Sequence, residues 1–173
     1  YGIGRDALVL EVACGTGIIA RHLSQLGRQV RGLDLSPDML TFLEERAAAQ
    51  GLRIDTICSD MRSINLPADS IAGAINPLSS FRLLQTDADV LHHLKAMANV
   101  LRPGGVYVLD LTFETIDEDG AEEDWTMDRD GITVSSMDGS ITVVDGATTL
   151  NLDWSDELHL RRYDGPSFAG LLD

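Results

Sequence analysis

A chain of 173 residues is long enough for one domain with a buried core, and its 44% apolar content contains no uninterrupted run of the about 18 apolar residues that a membrane span needs. A formal net charge of −15 argues against a nucleic-acid partner, because phosphate binding needs basic patches. The same charge does not oppose a cationic ligand, and solubility or a salty interior would account for it equally well.

Apolar runs alternate with helical patterns over the first two thirds of the chain. ALVLEVAC (7–14) is apolar except for one acid and predicts a central strand. IIARHLSQL (18–26) places Ile19, Leu23 and Leu26 on one helical face, and Gly27 supplies the stop. QVRGLDL (29–35) predicts a second strand. Ser36 then caps a helix whose first position is Pro37, where a missing N–H costs nothing; the helix runs to about Gln50 and ends at Gly51. RIDTIC (53–58) and SIAGAIN (70–76) predict a third and a fourth strand. Thr86 and Asp87 open a long helix through VLHHLKAMANVL, PGG (103–105) predicts a sharp turn, and VYVLDLTF (106–113) predicts a fifth strand. This rhythm predicts an α/β fold: a Rossmann-like, doubly wound, mostly parallel sheet with helices on both faces. Ligands of such sheets bind beyond the carboxyl ends of the strands, here residues 11–17, 34–36, 59–61, 76–80 and 110–114.

The composition changes after residue 113. Residues 114–130 are strongly acidic and predict an exposed loop. ITVSSMDGSITVV (132–144) holds two alternating runs around Asp138-Gly139, a two-residue hairpin signal, and 148–163 could add one or two more strands. The expected organisation is a core over 1–113, an acidic loop and antiparallel substrate cap over 114–165, and the start of a helix over 166–173. Cys14 and Cys58 are the only cysteines; both lie in apolar, strand-like surroundings and are expected to be reduced, buried thiols of a cytoplasmic protein. No secretory signal opens the sequence, although a chain beginning at Tyr1 suggests that its true N-terminus lies further back.

Gly15-Thr16-Gly17-Ile18-Ile19-Ala20 matches the pattern G-x-G-x-x-G/A, with Asp34 placed to hold a ribose. NAD and S-adenosylmethionine both suit such a turn, and Glu11 helps to separate them. A carboxylate aimed at the turn would repel a pyrophosphate at the helix N-terminus. It would attract the ammonium and sulfonium of S-adenosylmethionine. VLEVACGTG, GLDLSPDML, CSDM and LRPGGVYVLDL, in that order, resemble successive motifs of the class I S-adenosylmethionine-dependent methyltransferases. The resemblance covers about residues 8–113 and implies small-molecule methyl transfer. It implies that Glu11 contacts the methionine ammonium and that Ala13, Gly15 and Gly17 form the turn. Asp34 would hold the ribose and Leu35 pack on the adenine, with Asp60 accepting from the adenine amine and Met61 beside the ring. Asn76 would offer its backbone carbonyl near the methionine moiety. Ala13 departs from the family by replacing the usual first glycine. The family sheet is completed by two further strands after another helix; PSFAGLLD resembles the start of that helix, so the expectation is a fragment that lacks them.

No residue is singled out as a catalytic base. His22, His92 and His93 are expected to have packing or surface roles, and His159 lies in the appended strands near the expected substrate entrance. Trp125, Trp154 and Tyr163 could line an aromatic wall for an amine or could pack the cap on the sheet. The histidines and cysteines lack metal-ligand spacing. The reading is N- or O-methylation of a small molecule, in preference to C-methylation, with no nucleic-acid or membrane partner and an open oligomeric state. The alternatives are an NAD-dependent oxidoreductase and a non-catalytic domain that binds the cofactor or a protein partner.

Overall fold

The computed structural model describes residues 3–4, 6–111, 125–129, 132–137, 140–145, 148–153 and 161. Five strands form one parallel sheet: β1 (Leu8–Val12), β2 (Gln29–Asp34), β3 (Asp55–Cys58), β4 (Ile71–Asn76) and β5 (Leu101–Leu109). Their order is β3-β2-β1-β4-β5, so the chain winds outward from β1 in one direction and then in the other. Helices α1 (Ile18–Gln25) and α2 (Pro37–Ala49) make the crossovers of the first half, and α3 (Asp87–Val100) makes that between β4 and β5. Right-handed crossovers put the first two helices on one face and α3 on the other.

The period-2 alternation of β1 decides what each face receives. Leu10 and Val12 join Met97 and Val100 of α3 in the larger core cluster. Glu11 points the opposite way, toward α1. A separate cluster of Cys14, Leu40 and Leu43 packs α2 against the turn after β1. Ser36 caps α2 by accepting from Met39 N–H, and Thr86 and Asp89 form a reciprocal capping box on α3.

Three local expectations are corrected. The turn expected at 103–105 lies within β5: Ile71 pairs with Leu101 but Gly73 pairs with Val106, so residues 102–105 form a bulge opposite Ala72. Part of the expected acidic loop, Trp125–Arg129, is strand β6. The alternation of Thr126 and Asp128 with Trp125 and Met127 is a strand pattern that average composition conceals. Cys58 is exposed rather than buried, because it stands at the open end of outermost β3; Cys14 is buried as expected.

Strands β6, β7 (Ile132–Met137), β8 (Ser140–Asp145) and β9 (Thr148–Asp153) form a second, antiparallel sheet in chain order. Met137 pairs with Ser140 across the expected hairpin, whose Asp138 and Gly139 lie outside the described residues, as do Trp154, His159, Tyr163 and 166–173. Arg161 meets the core again. Its N–H donates to the Arg82 carbonyl at 2.8 Å, Arg82 Nε donates back to its carbonyl at 2.9 Å, and its guanidinium pairs with Asp87.

Candidate functional site

The turn between β1 and α1 is built on left-handed backbone. Ala13, Gly15 and Gly17 have φ of 54°, 50° and 67°. A left-handed alanine costs about 1 kcal/mol, so Ala13 occupies a position that a glycine would fill without strain. Gly17 is the N-cap of α1 and has no side chain to offer the helix's unpaired amides. Glu11 supplies the acceptor instead: Ala20 N–H donates to its Oε2 at 2.7 Å. Asp34, at the end of β2, closes the turn from the other side. It accepts Gly15 N–H on Oδ2 at 2.7 Å and Ser36 N–H on Oδ1 at 2.9 Å. Gly17 N–H donates to the Cys14 carbonyl at 2.8 Å.

Both acids therefore stand against the helix start, and their charges interact. Glu11 is only 3% exposed. Burial pushes its pKa up to about 7; the Ala20 amide opposes the shift, and the Asp34 charge adds to it. Burial raises the Cys14 thiol to about 12, with Glu11 and Asp34 contributing, so this cysteine is no nucleophile at neutral pH.

A cleft of about 330 Å³ opens beyond the strand ends. It brings together five of the expected residues: Ala13, Asp34, Leu35, Asp60 and Met61. Leu35, a large apolar side chain, is 70% exposed. Glu11, Gly15 and Gly17 are not among the residues that line the cleft. Asn76 ends β4 as expected; its backbone carbonyl accepts Asp110 N–H at 3.0 Å, its side chain is fully buried, and it is not among the residues lining the cleft. Pairing of β4 with β5 continues through Asn76 and Leu109.

Asp60 is not a free acceptor. Arg62 donates to it from its backbone N–H at 2.8 Å, from Nε at 3.0 Å to each oxygen, and from Nη2 at 2.6 Å. This grip holds the Asp60 carboxyl below the usual carboxylate range. Arg62, Leu83, Leu84, Gln85 and Asp89 also line the cleft and were missed in the sequence. The available signal was topological: the helix after β4 must begin at the carboxyl end of the sheet, so the residues before its capping Thr86 face the same opening. His93 is fully buried and His92 and His22 are exposed. Among the described residues, no group of three or more His, Cys, Asp or Glu could hold a metal, and no helix is long and apolar enough to cross a membrane.

Residues 9–105 match the family described as the methyltransferase domain. The chain belongs to that family. The domain is 32% identical over 103 residues to YqeM of Bacillus subtilis, named as a methyltransferase, a match covering 60% of this chain and 41% of that protein. It thus spans about two fifths of the length of the curated relatives it matches. An S-adenosylmethionine-dependent methyltransferase of Clostridium acetobutylicum superposes with a TM-score of 0.75 at 24% identity, over 98% of this chain and 72% of that one. The S-adenosylmethionine-bound amino pentose methyltransferase CalS10 of Micromonospora echinaspora superposes with a TM-score of 0.70 at 24% identity, over 96% and 73%. These superpositions establish that the methyltransferase domain has the Rossmann-like fold expected from the strand–helix rhythm.

Proposed function

We propose that this methyltransferase domain binds S-adenosylmethionine at the carboxyl ends of β1, β2 and β3 and serves methyl transfer to a small-molecule acceptor. One observation carries the choice of ligand: one amide of the β1–α1 turn and one of the first turn of α1 are taken by carboxylates. Gly15 N–H belongs to Asp34 and Ala20 N–H belongs to Glu11. A dinucleotide needs amides in this region for its pyrophosphate and would meet two acids instead. A ligand carrying an ammonium and a sulfonium finds complementary charge. The donor set therefore fits S-adenosylmethionine and not NAD.

In this reading the ribose hydroxyls use the lone pairs left on Asp34, and Leu35 and Met61 sandwich the adenine beside Asp60. Glu11 acts on the ammonium, and Ala13, Gly15 and Gly17 keep the backbone low enough for approach. When bound, the cofactor supplies a methyl carbon already activated by its sulfonium. The chain's own work is orientation, exclusion of water and a negative field, which suits in-line attack by a nitrogen or oxygen nucleophile. The antiparallel sheet within 114–165 is proposed as the acceptor-side cap. An amino pentose, named for CalS10, illustrates the class of acceptor. Two free thiols are in keeping with a cytoplasmic setting.

Thermal melting with S-adenosylhomocysteine and NADH in parallel tests the reading, since a ligand that binds only the folded form raises the melting temperature. A rise with S-adenosylhomocysteine alone is expected; a rise with NADH alone overturns it. Asp34→Asn sharpens the test. It keeps the side-chain volume but exchanges a charge-assisted acceptor for a neutral amide, so S-adenosylhomocysteine should bind about tenfold more weakly by calorimetry. Unchanged affinity would remove Asp34 from the ribose.

A further inference from the structure

We propose that Asp89 and His93 of α3 are positioning residues that fix the purine-facing loop at residues 60–62, and so set the selectivity of the cleft for a 6-amino purine. The inference rests on the cofactor reading above, which places adenine beside Asp60 and Met61.

Asp89 and His93 are four residues apart on α3 and share one helical face. Each takes hold of one member of the loop. His93 Nδ1 lies 2.8 Å from the Met61 carbonyl, and its Nε2 lies 2.7 Å from the Tyr107 hydroxyl. A carbonyl only accepts, so Nδ1 carries the proton and donates, and Nε2 accepts from Tyr107. The imidazole is completely buried and packs in a T-shaped arrangement with Phe81, at 5.5 Å between centroids. Both ring nitrogens are thus satisfied by groups of fixed position, which leaves the ring no second orientation.

Asp89 divides its two oxygens between two tasks. Oδ2 accepts Thr86 N–H at 3.2 Å and the Thr86 hydroxyl at 2.7 Å, completing the capping box. Oδ1 accepts Arg62 Nη1 at 2.7 Å. The same guanidinium grips Asp60 through Nε and Nη2. Arg62 is therefore strung between the helix and the cleft acid, and its position determines which lone pair of Asp60 stays open to a ligand amine. The loop also closes on itself, with Ser63 N–H donating to the Asp60 carbonyl at 3.0 Å and Ser59 Oγ to the Ser63 carbonyl at 2.9 Å. Asn76 Nδ2 lies 3.9 Å from Met61 Sδ and supports the side chain from below. The adenine wall is thereby referenced to α3, an element of the opposite half of the sheet, and not to β3 alone.

The test uses Arg62→Gln, Arg62→Lys and His93→Gln, with two readouts. The first is hydrogen exchange at the amides of Arg62 and Ser63 in the ligand-free protein. The second is the preference for S-adenosylhomocysteine over S-inosylhomocysteine, whose purine bears a 6-carbonyl and an N1–H in place of the 6-amino group and bare N1. The expected result is faster exchange at these two amides in Arg62→Gln and His93→Gln. Binding of S-adenosylhomocysteine should weaken about fivefold, the purine preference should shrink toward unity, and Arg62→Lys should recover part of both. Should His93→Gln fail to fold, Arg62→Gln, whose side chain is 47% exposed, carries the test alone. Unchanged exchange together with unchanged preference overturns the proposal. So does tighter binding by Arg62→Gln, which would make Arg62 a competitor for Asp60. Wild-type protein that binds neither ligand overturns the cofactor reading and the purine part of this inference; the exchange data then decide separately whether α3 holds the loop.

Discussion

Glu11→Gln is expected to raise the melting temperature by several degrees at pH 8, to leave it unchanged at pH 4, and to weaken the cofactor about tenfold at the higher pH. Glu11 titrates near 7 in the folded chain against 4.5 for a free carboxyl. The folded state therefore holds this proton more tightly than the unfolded state does. Its contribution to stability is fully present below pH 4.5 and disappears as the pH rises through 7, leaving an ionised carboxylate 3% exposed. The cost above pH 7 is about 3 kcal/mol, from the separation of the two pKa values. Glutamine avoids it, and its carbonyl can still accept Ala20 N–H. The same substitution removes the negative charge assigned to the ammonium, so stability and binding should move in opposite directions. In the wild type, affinity for the cationic ligand should fall as the pH drops below 7. Melting curves at pH 4, 6 and 8, with titrations at pH 6 and 8, check this. A melting temperature shifted equally at every pH would show that the buried charge is not what costs stability, and unchanged affinity at pH 8 would remove Glu11 from the ligand.

Gly17→Ala should destabilise the fold by about 3 kcal/mol, seen as a lower midpoint in urea. Two independent causes contribute. A left-handed non-glycine residue costs about 1–2 kcal/mol, and Gly17 has φ of 67°. An added Cβ would lie 2.2 Å from Leu43 Cδ1 and 2.8 Å from Leu43 Cγ, and forcing a packed core apart costs about 1–3 kcal/mol. Leu43 is fully buried, so its side chain can yield only by displacing its core neighbours. Gly15→Ala is the control. It shares a left-handed backbone, but its Cβ would meet nothing within 4 Å, so only the conformational cost of about 1 kcal/mol should appear. Adding Leu43→Ala to Gly17→Ala should remove the steric part alone and give a non-additive double mutant. Equal losses for Gly15→Ala and Gly17→Ala would show that α2 does not pack against the turn as described.

Chain order and period carried most of the fold. Apolar β1 with a single acid announced a central strand, while the placing of Leu10 and Val12 against one helix layer and Glu11 against the other came with the structure. Ser36-Pro37 and Thr86 marked helix starts because capping is a local interaction. Residues 102–105 were harder, since Pro-Gly-Gly serves a turn or a bulge equally well and only the pairing of β4 decides. Average composition hid β6 inside an acidic stretch. Within the site, Asp34, Leu35, Asp60 and Met61 could be located because strand ends are visible in the sequence. Arg62 and Asp89 could not, since their meeting depends on α3 returning its first turn to the β3 loop across a sequence separation of 27 residues. Asn76 was placed at a strand end correctly, and its carbonyl also carries the Asp110 N–H, a bond that only the pairing of β4 with β5 reveals.

The carboxylates that occupy an amide of the β1–α1 turn and one of the first turn of α1 have a consequence for turnover. S-adenosylmethionine carries one more positive charge than the S-adenosylhomocysteine left after transfer. A site furnished with Glu11 and Asp34, in a chain of net charge −15, attracts the charged donor more strongly than the neutral product. On the proposed reading, loss of the methyl group would loosen the hold on what remains, so product inhibition is expected to be weak at low salt and to grow as added salt screens that difference.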